Sequence, residues 1–416
     1  MNDRNPLFII LLGIICFFFV LAFLVEPPLD VLYGYYNILT HPGRLISDFS
    51  SIGGIGAVLL NVSLMGFLGL LVIQLAGVSL SGPTFAAIMT IIGFSFFGKT
   101  PVNTAPIVFG VYIAAKLAGK SFKNYLIIAL FGTAFGPITS YVANISGLHP
   151  LVAILLGLLL GMIVGVFLPS LAIAMLRLHE GYNLYNVGFS CGFLGLFFAS
   201  LFTAVGMDLS IQVEWNTTFS LILTAIIPIV SLLLIIAGIS VDGIKKSVTG
   251  LMAIQKLSGR LPADFTDLVS PGAALLNAGL LGLAGSIYVI SIGAVFNGPV
   301  IGALFTIIGF GTFGKHLKNV WPVVSGILAA TLISGKSPTA PGPLLALLFG
   351  TTLAPIAGEF GIVPGIIAGF LHLVLVERTA VWHGGLVLYN NGFSGGLVAT
   401  FIFAVSEWIK ANIKKR

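Results

Sequence analysis

The stretch Thr90 to Pro106 reads T-I-I-G-F-S-F-F-G-K-T-P-V-N-T-A-P, and Thr306 to Pro322 reads T-I-I-G-F-G-T-F-G-K-H-L-K-N-V-W-P. Each ends a short apolar run on a Gly-Lys pair and opens the next run with Asn and Pro. Two copies of one broken apolar segment, 216 residues apart, decide the fold, because a unit that recurs in register implies a recurring architecture.

Sliding outward at the same offset pairs Gly43-Arg44-Leu45 with Gly259-Arg260-Leu261, Asp48-Phe49 with Asp264-Phe265, and Leu59-Leu60-Asn61 with Leu275-Leu276-Asn277. Gly82-Pro83 meets Gly298-Pro299, and Gly119-Lys120 meets Gly335-Lys336. The register then slips by two, with Phe131-Gly132 matching Phe349-Gly350, and the second copy loses 14 residues before His383, the partner of His179. Leu184-Tyr185-Asn186 and Gly188-Phe189-Ser190 recur as Leu388-Tyr389-Asn390 and Gly392-Phe393-Ser394. So many ordered matches exclude coincidence. They divide the chain into a first membrane repeat, 1–207, and a second, 208–416, with a loop at 241–271 inside the second repeat.

The solvent for both repeats is lipid. A chain with 57% apolar and only 8% charged residues cannot give 416 residues a polar surface, and its 52 glycines suit close helix packing in a membrane. Each repeat reads as seven apolar segments: 7–25, 54–78, 83–97, 104–119, 125–143, 150–176 and 188–206 in the first. The second has 219–239, 272–294, 299–313, 319–334, 341–357, 361–376 and 393–409. Several fall short of the roughly 20 residues a straight spanning helix needs, so the short ones are candidates for half-helices or re-entrant arms. The expectation is an all-α polytopic membrane protein with 10–14 spans. Leu7 to Val25 lacks a small-residue cleavage site and has a counterpart in the second repeat, so it reads as the first span rather than a secretory signal.

Seven segments per copy is an odd number, which inverts the second repeat relative to the first. Charge agrees. With the N-terminus inside, the basic residues placed inside are Arg4, Lys116, Lys120, Lys123, Arg177, Lys245, Lys246, Lys256, Arg260, Lys315, Lys318, Lys410, Lys414, Lys415 and Arg416; Arg44, Lys99, Lys336 and Arg378 fall outside. The positive-inside rule then puts both termini and the 241–271 loop in the cytoplasm of a cell whose inner membrane holds the protein. Three of the four exceptions, Arg44, Lys99 and Lys336, are repeat partners of inside residues.

The net charge of +6 is scattered through loops without an aromatic-basic face, so nucleic acid is not an expected partner. Cys16 and Cys191 sit in apolar runs, giving neither a disulfide framework nor a thiolate metal site, and no cofactor or metal is expected. H-E-x-x-H does not occur, and none of the 13 acidic residues lies at the centre of an apolar segment. The expectation is therefore not an enzyme.

The Gly-Lys breaks are the leading candidate site. Broken helices at membrane depth expose backbone groups that persist only against protein or a watery cavity. Lys99 and Lys315 would add charge, Asn103 and Asn319 a neutral donor and acceptor, and helix N-termini partial positive charge, which together suit an anionic or carbonyl-bearing solute. Snorkelling lysines on ordinary loops are the competing reading. Tyr185, Asn186, Tyr389 and Asn390 are candidates to line a pore, against an interfacial-belt and capping role. Asn61 and Asn277 lie within spans and serve either solute or interhelical hydrogen bonds. His179 and His383 are candidates to carry protons near neutral pH, against the reading of merely solvated loop residues. Arg44 with Asp48, and Arg260 with Asp264, have the spacing of a helical ion pair. Gly157, Gly161 and Gly165, matched by Gly361, Gly365 and Gly369, form a stripe for tight helix contact.

The paired G-R-L-x-x-D-F, F-G-K-x-x-x-N-x-x-P and L-Y-N-x-G-F-S strings, spread over nearly the whole chain, resemble a bacterial family of internally duplicated multi-span membrane proteins labelled only as a domain of unknown function. That resemblance implies the architecture and supplies no substrate. At the level of fold alone, seven-plus-seven inverted repeats also resemble nucleobase and anion transporters, whose third segment in each half is discontinuous, as 83–97 and 299–313 would be. The functional expectation is a transporter or facilitator of a small polar or anionic solute, working by alternating access about a central site. A passive channel for a small neutral solute, as in two-half urea channels, is the alternative, with an intramembrane enzyme or sensor behind it. The sequence leaves a homo-oligomer open.

Overall fold

A computed structural model describes residues 5–145 and 147–412. Arg4, Lys414, Lys415 and Arg416, counted above for orientation, lie outside the described residues. The first repeat runs α1 (Pro6–Val25), α2 (Pro28–Thr40), a two-residue strand β1 (Ile46–Ser47), α3 (Phe49–Gly53), α4 (Ile55–Ala76), α5 (Gly82–Phe94), α6 (Pro101–Leu117), α7 (Leu126–Gly132), α8 (Gly136–Ala143), α9 (Pro150–His179) and α10 (Asn186–Ala204). A linker carrying β2 (Val213–Glu214) leads to α11 (Leu221–Asp242), α12 (Ile244–Ile254), α13 (Phe265–Leu268), α14 (Pro271–Ser291), α15 (Gly298–Phe310), α16 (Leu317–Ile333), α17 (Pro341–Gly350), α18 (Ala354–Phe360), α19 (Ile362–Trp382) and α20 (Asn390–Asn412).

Among the described residues, ten helices are long and apolar enough to cross a membrane, counting α7–α8 and α17–α18 as one each, and α5, α6, α15 and α16 are shorter apolar helices. Many begin on a proline, among them α1, α2, α9, α14 and α17, where a fixed φ suits the first turn and the missing N–H costs nothing. The seven apolar segments of each repeat are all present.

Two helices per chain were not legible in the hydropathy. α2 and α12 are short and amphipathic: Val31, Gly34 and Ile38 bury one face of α2 while Leu29, Leu32, Tyr33 and Tyr36 stay exposed. An apolar, aromatic outer face on a short helix suits the membrane interface. The 241–271 segment read as a loop is thus largely ordered as α12 and α13. The expected Arg44–Asp48 and Arg260–Asp264 helical pairs do not form either, because that stretch is extended: Asp48 and Asp264 instead cap α3 and α13 by accepting the Ser50 and Thr266 amides, each at 2.9 Å. A capping carboxylate must sit outside the helix it caps, so it cannot share a helical turn with the arginine before it.

Direct contacts fix where each end of each helix lies. Asn5 donates to Leu80 O, the Gly82 amide meets Asp264, Arg260 lies over the Tyr182 ring and Lys410 over Phe360, so both described ends of the chain share one face, called the near face. On the far face, the Phe49 amide donates to Phe96 O, Gly298 meets Asp48, and Arg44 packs over Tyr141. α5 therefore runs from near to far, α6 returns, and their second-repeat mates α15 and α16 do the reverse. The repeats are inverted, and α5 and α15 lie antiparallel at the centre, with Gly93 against Gly302 and Gly309 against Ala86.

Glycine stripes close the outer layers at Gly157, Gly161, Gly165, Gly365 and Gly369, whereas the expected sixth member, Gly361, only precedes α19, with nothing within 4 Å of an added Cβ. A Cβ on Gly165 would lie 2.3 Å from Ile107 O of α6, and one on Gly369 would lie 2.1 Å from Val323 O of α16. Backbones this close leave room for hydrogen only, which is how helices associate tightly where lipid gives no hydrophobic drive.

Candidate functional site

The chain reverses after α5 at residues 95–100 and after α15 at 311–316, and all of these residues are buried. Their backbone groups need partners, and the asparagines supply them. Asn61 donates to Ser95 O and Lys99 O at 2.7 and 2.8 Å, and Asn277 to Gly311 O and Lys315 O, both at 2.7 Å. Asn103 accepts the Thr100 amide at 2.9 Å and donates to Gly98 O at 3.0 Å; Asn319 does the same with His316 and Gly314, at 2.9 Å each. These four residues hold the breaks in shape. Asn103 and Asn319 thereby engage both ends of their amides, while the Asn61 oxygen keeps no partner among the described residues.

The helix N-termini are likewise engaged. α6 and α16 carry their own capping boxes. At α5 the Gly82 amide donates to Asp264 of the other repeat at 3.1 Å, and at α15 the Gly298 amide donates to Asp48 at 3.2 Å. The expectation that these termini present free amides to an anion is corrected: the positive ends of α5 and α15 already face a carboxylate from the opposite repeat, and those of α6 and α16 their own caps.

The lysines are wholly buried, contrary to the snorkelling reading. Lys99 Nζ donates to Thr133 Oγ1 at 2.7 Å and hydrogen-bonds Tyr389 OH at 2.6 Å; Lys315 Nζ donates to Thr351 Oγ1 at 2.7 Å and hydrogen-bonds Tyr185 OH at 2.5 Å. Each nitrogen also lies 4.6 Å from the centre of its tyrosine ring and 5.3 Å from Phe94 or Phe310, respectively. Each lysine thus bonds a threonine of its own repeat and a tyrosine of the other. Among the described residues, no carboxylate lies within ion-pair distance of either lysine.

The tyrosines therefore belong to the core rather than the interfacial belt. Asn186 lines the cavity described below and Asn390 does not, and both lock helices: each accepts from a histidine, His179 at 3.0 Å and His383 at 3.1 Å, and donates back to α9 or α19 through Ala172 O or Val376 O. The histidines are buried, not solvated. Sequence reasoning missed Thr133 and Thr351, although both follow the repeated Phe-Gly pair at 131–132 and 349–350.

Beside the tyrosines lies a cavity of about 360 Å³ lined by equivalent residues of both repeats: Thr90 and Thr306, Phe94 and Phe310, Leu184 and Leu388, Tyr185 and Tyr389, Gly188 and Gly392. Its remaining wall is asymmetric. Ile127, Ile128, Ile173 and Leu176 of α7 and α9, with Leu261 and Pro262, carry it toward the near face, where Ile173 and Leu176 are exposed. Of their repeat mates on the far side, Leu345, Ala346 and Leu45 are buried, while Glu377 and Ala380, the mates of Ile173 and Leu176, are not. Over that side runs the linker: β2 pairs in parallel with β1, Arg44 donates to Asp208 O and Ser210 O, His41 bonds Glu214 at 3.1 Å, and Tyr141 OH donates to Asp208 O at 2.6 Å. The exposed residues of the lining, Ile173, Leu176 and Pro262, all lie toward the near face, and the linker covers the far side.

A family model described as a protein of unknown function, DUF1576, matches residues 28–204 and 243–408. No curated protein and no solved structure matches the chain. The two matched segments begin on the paired helices α2 and α12 and take in both copies of the lysine and tyrosine motifs. With most of its length covered by that model in two successive halves, the chain belongs to the DUF1576 family as an internally duplicated, multi-span membrane protein.

Proposed function

We propose that the protein is a carrier for a small organic anion, exposing the central cavity to one face of the membrane and then to the other. The observation that supports this reading is the cavity itself: it is built from matching residues of two inverted repeats, yet its lining is exposed on one side only. In an inverted pair, exchanging the conformations of the two repeats opens the opposite side about the same site. The lysines behind the tyrosines, with no carboxylate to neutralise them, favour a solute carrying negative charge, and the phenylalanine walls favour an apolar body. The covered far side favours a carrier over a continuous channel.

The near face carries Lys116, Lys120, Lys123, Arg177, Lys245, Lys246, Lys256, Arg260, Lys318 and Lys410, while the far face carries Arg44, Lys336 and Arg378. By the positive-inside rule the near face is cytoplasmic, so both termini lie in the cytoplasm of a cell whose inner membrane holds the protein, and the exposed part of the cavity lining faces inward. Counterflow in proteoliposomes tests the reading. Labelled organic anions should accumulate transiently when unlabelled anion is trapped inside. Equal, non-saturating equilibration of charged and neutral solutes would instead mark a channel and overturn it.

A further inference from the structure

The hydrogen-bond inventory around the paired lysines names both a coupling ion and a ligand class. The hydroxyl protons of Thr133 and Thr351 are committed to Leu130 O and Leu348 O, at 2.6 and 2.7 Å, so each threonine can only accept from its lysine. Each tyrosine hydroxyl has its lysine as its one hydrogen-bond partner among the described residues. A lysine in the amine form donates one N–H to the threonine and accepts the tyrosine O–H on its lone pair. In the ammonium form the lone pair is gone: the nitrogen donates to the tyrosine oxygen, and the tyrosine proton is released from that bond. Tyr185 and Tyr389, not the lysines, line the cavity. Protonating a lysine therefore supplies a charge behind the wall and a hydroxyl donor at its surface together.

An ammonium in this setting has no counter-ion. The titratable groups facing Lys99 are Tyr389 from the start of α20 and the Cys191 thiol from α10, which is close enough to sense its charge; Tyr185 faces Lys315. Burying an isolated charge is costly, whereas an ion pair with further hydrogen bonds offsets that cost. A bound anion would complete that pair. Thr90 and Thr306 donate to Ala86 O and Gly302 O and so offer the cavity acceptors only. With few donors, no arginine among the lining residues and the N-termini of α5 and α15 already held by Asp264 and Asp48, the site lacks the dense donor cradle that phosphate takes.

Resting on the carrier reading above, we infer that the cavity binds an organic carboxylate with an apolar body, and that each carboxylate enters with one proton taken from solution onto Lys99 or Lys315. The proton moves from bulk water to the lysine nitrogen, the tyrosine O–H turns from that nitrogen to the carboxylate, and the loaded site is electrically neutral. No covalent bond forms or breaks apart from the N–H gained.

Calorimetric titration of the full chain in detergent tests this, with benzoate, hexanoate and octanedioate as probes and the corresponding amides as uncharged controls. Running each titration at one pH in phosphate and in Tris, whose ionisation heats differ, counts the protons taken up. The expected result is that at least one carboxylate binds, its amide does not, and uptake is about one proton per carboxylate group. Affinity should weaken about tenfold per unit rise in pH for benzoate and hexanoate, and about a hundredfold for octanedioate, while one proton accompanies each carboxylate. Lys99→Met with Lys315→Met should abolish the uptake, and Tyr185→Phe with Tyr389→Phe should weaken binding if the lysine pair proves hard to fold. Carboxylate binding without proton uptake, or uptake that survives the double lysine replacement, overturns the inference. Binding of the amides alone overturns it, and with it the anionic solute, while alternating access of the cavity stays a separate question. If neither series binds, the inference falls, while the carrier reading is decided separately by accessibility of the cavity from both faces.

Discussion

The carboxylate of Asp48, in the first repeat, accepts the Gly298 amide of the second at 3.2 Å, and Asp264 returns the contact to Gly82 at 3.1 Å. These reciprocal caps tie each central helix to the other repeat at its positive end. Replacing Asp48 or Asp264 by Asn keeps the shape but weakens an acceptor that was charged. Each change should destabilise the protein by about 1–3 kcal/mol, read as a lower denaturant midpoint in detergent, and the double replacement should cost more than either alone. An unchanged midpoint for both single variants would remove the caps from the account of how the repeats are held together.

Lys99 and Lys315 separate a scaffold role from a binding role. Methionine has nearly the length of lysine without its amine, and replacing a buried polar side chain by a well-packed apolar one of similar volume is often neutral or stabilising. Lys99→Met and Lys315→Met should keep or raise thermal stability while abolishing anion counterflow. Native counterflow in both variants would show that the lysines do not serve the solute.

The glycine contacts give a test of packing alone. A Cβ at Gly165 would come 2.3 Å from Ile107 O, which is backbone and cannot swing away. Gly165→Ala should cost about 1–3 kcal/mol by forcing α6 and α9 apart, whereas Gly13→Ala, where a Cβ meets nothing within 4 Å, should leave unfolding unchanged or slightly raised. Equal behaviour of the two would contradict the close approach.

The duplication, the seven segments per repeat and the inversion were all legible in the sequence, because each rests on strings such as F-G-K and on the distribution of lysine and arginine. The lysines and tyrosines of the site were legible for the same reason. Hydropathy could not reveal what lies across the symmetry axis. That Lys99 meets Tyr389, 290 residues away, or that Asp48 caps a helix 250 residues on, depends on how the two copies face each other. The asparagines misled because a polar residue in a span reads alike whether it holds backbone or solute. α2 stayed hidden because its apolar residues lie on both faces of a short helix.

Arg44 and Arg260 are repeat mates with different duties. Arg44 holds the linker by Asp208 O and Ser210 O, while Arg260 bonds Glu180 through its backbone and its carboxylate. Arg44→Ala should loosen the far-face cover, so that amide hydrogen exchange in residues 205–219 speeds up about tenfold for each 1.4 kcal/mol of local stability lost. Arg260→Ala should leave that segment unchanged. Equal exchange in the two variants would mean that the linker is held by its strand pairing and not by the arginine.

The central claim, that one cavity serves both faces of the membrane, is tested most directly by a single cysteine at Phe131 on a background with Cys16 and Cys191 replaced by serine. Phe131 lines the cavity and is buried from the far face. In inside-out and right-side-out vesicles, a membrane-impermeant maleimide should modify Phe131→Cys from both faces, faster from the near face, where the lining is exposed in this structure. Modification from the near face alone, at every reagent concentration and with or without organic anion, would contradict the account.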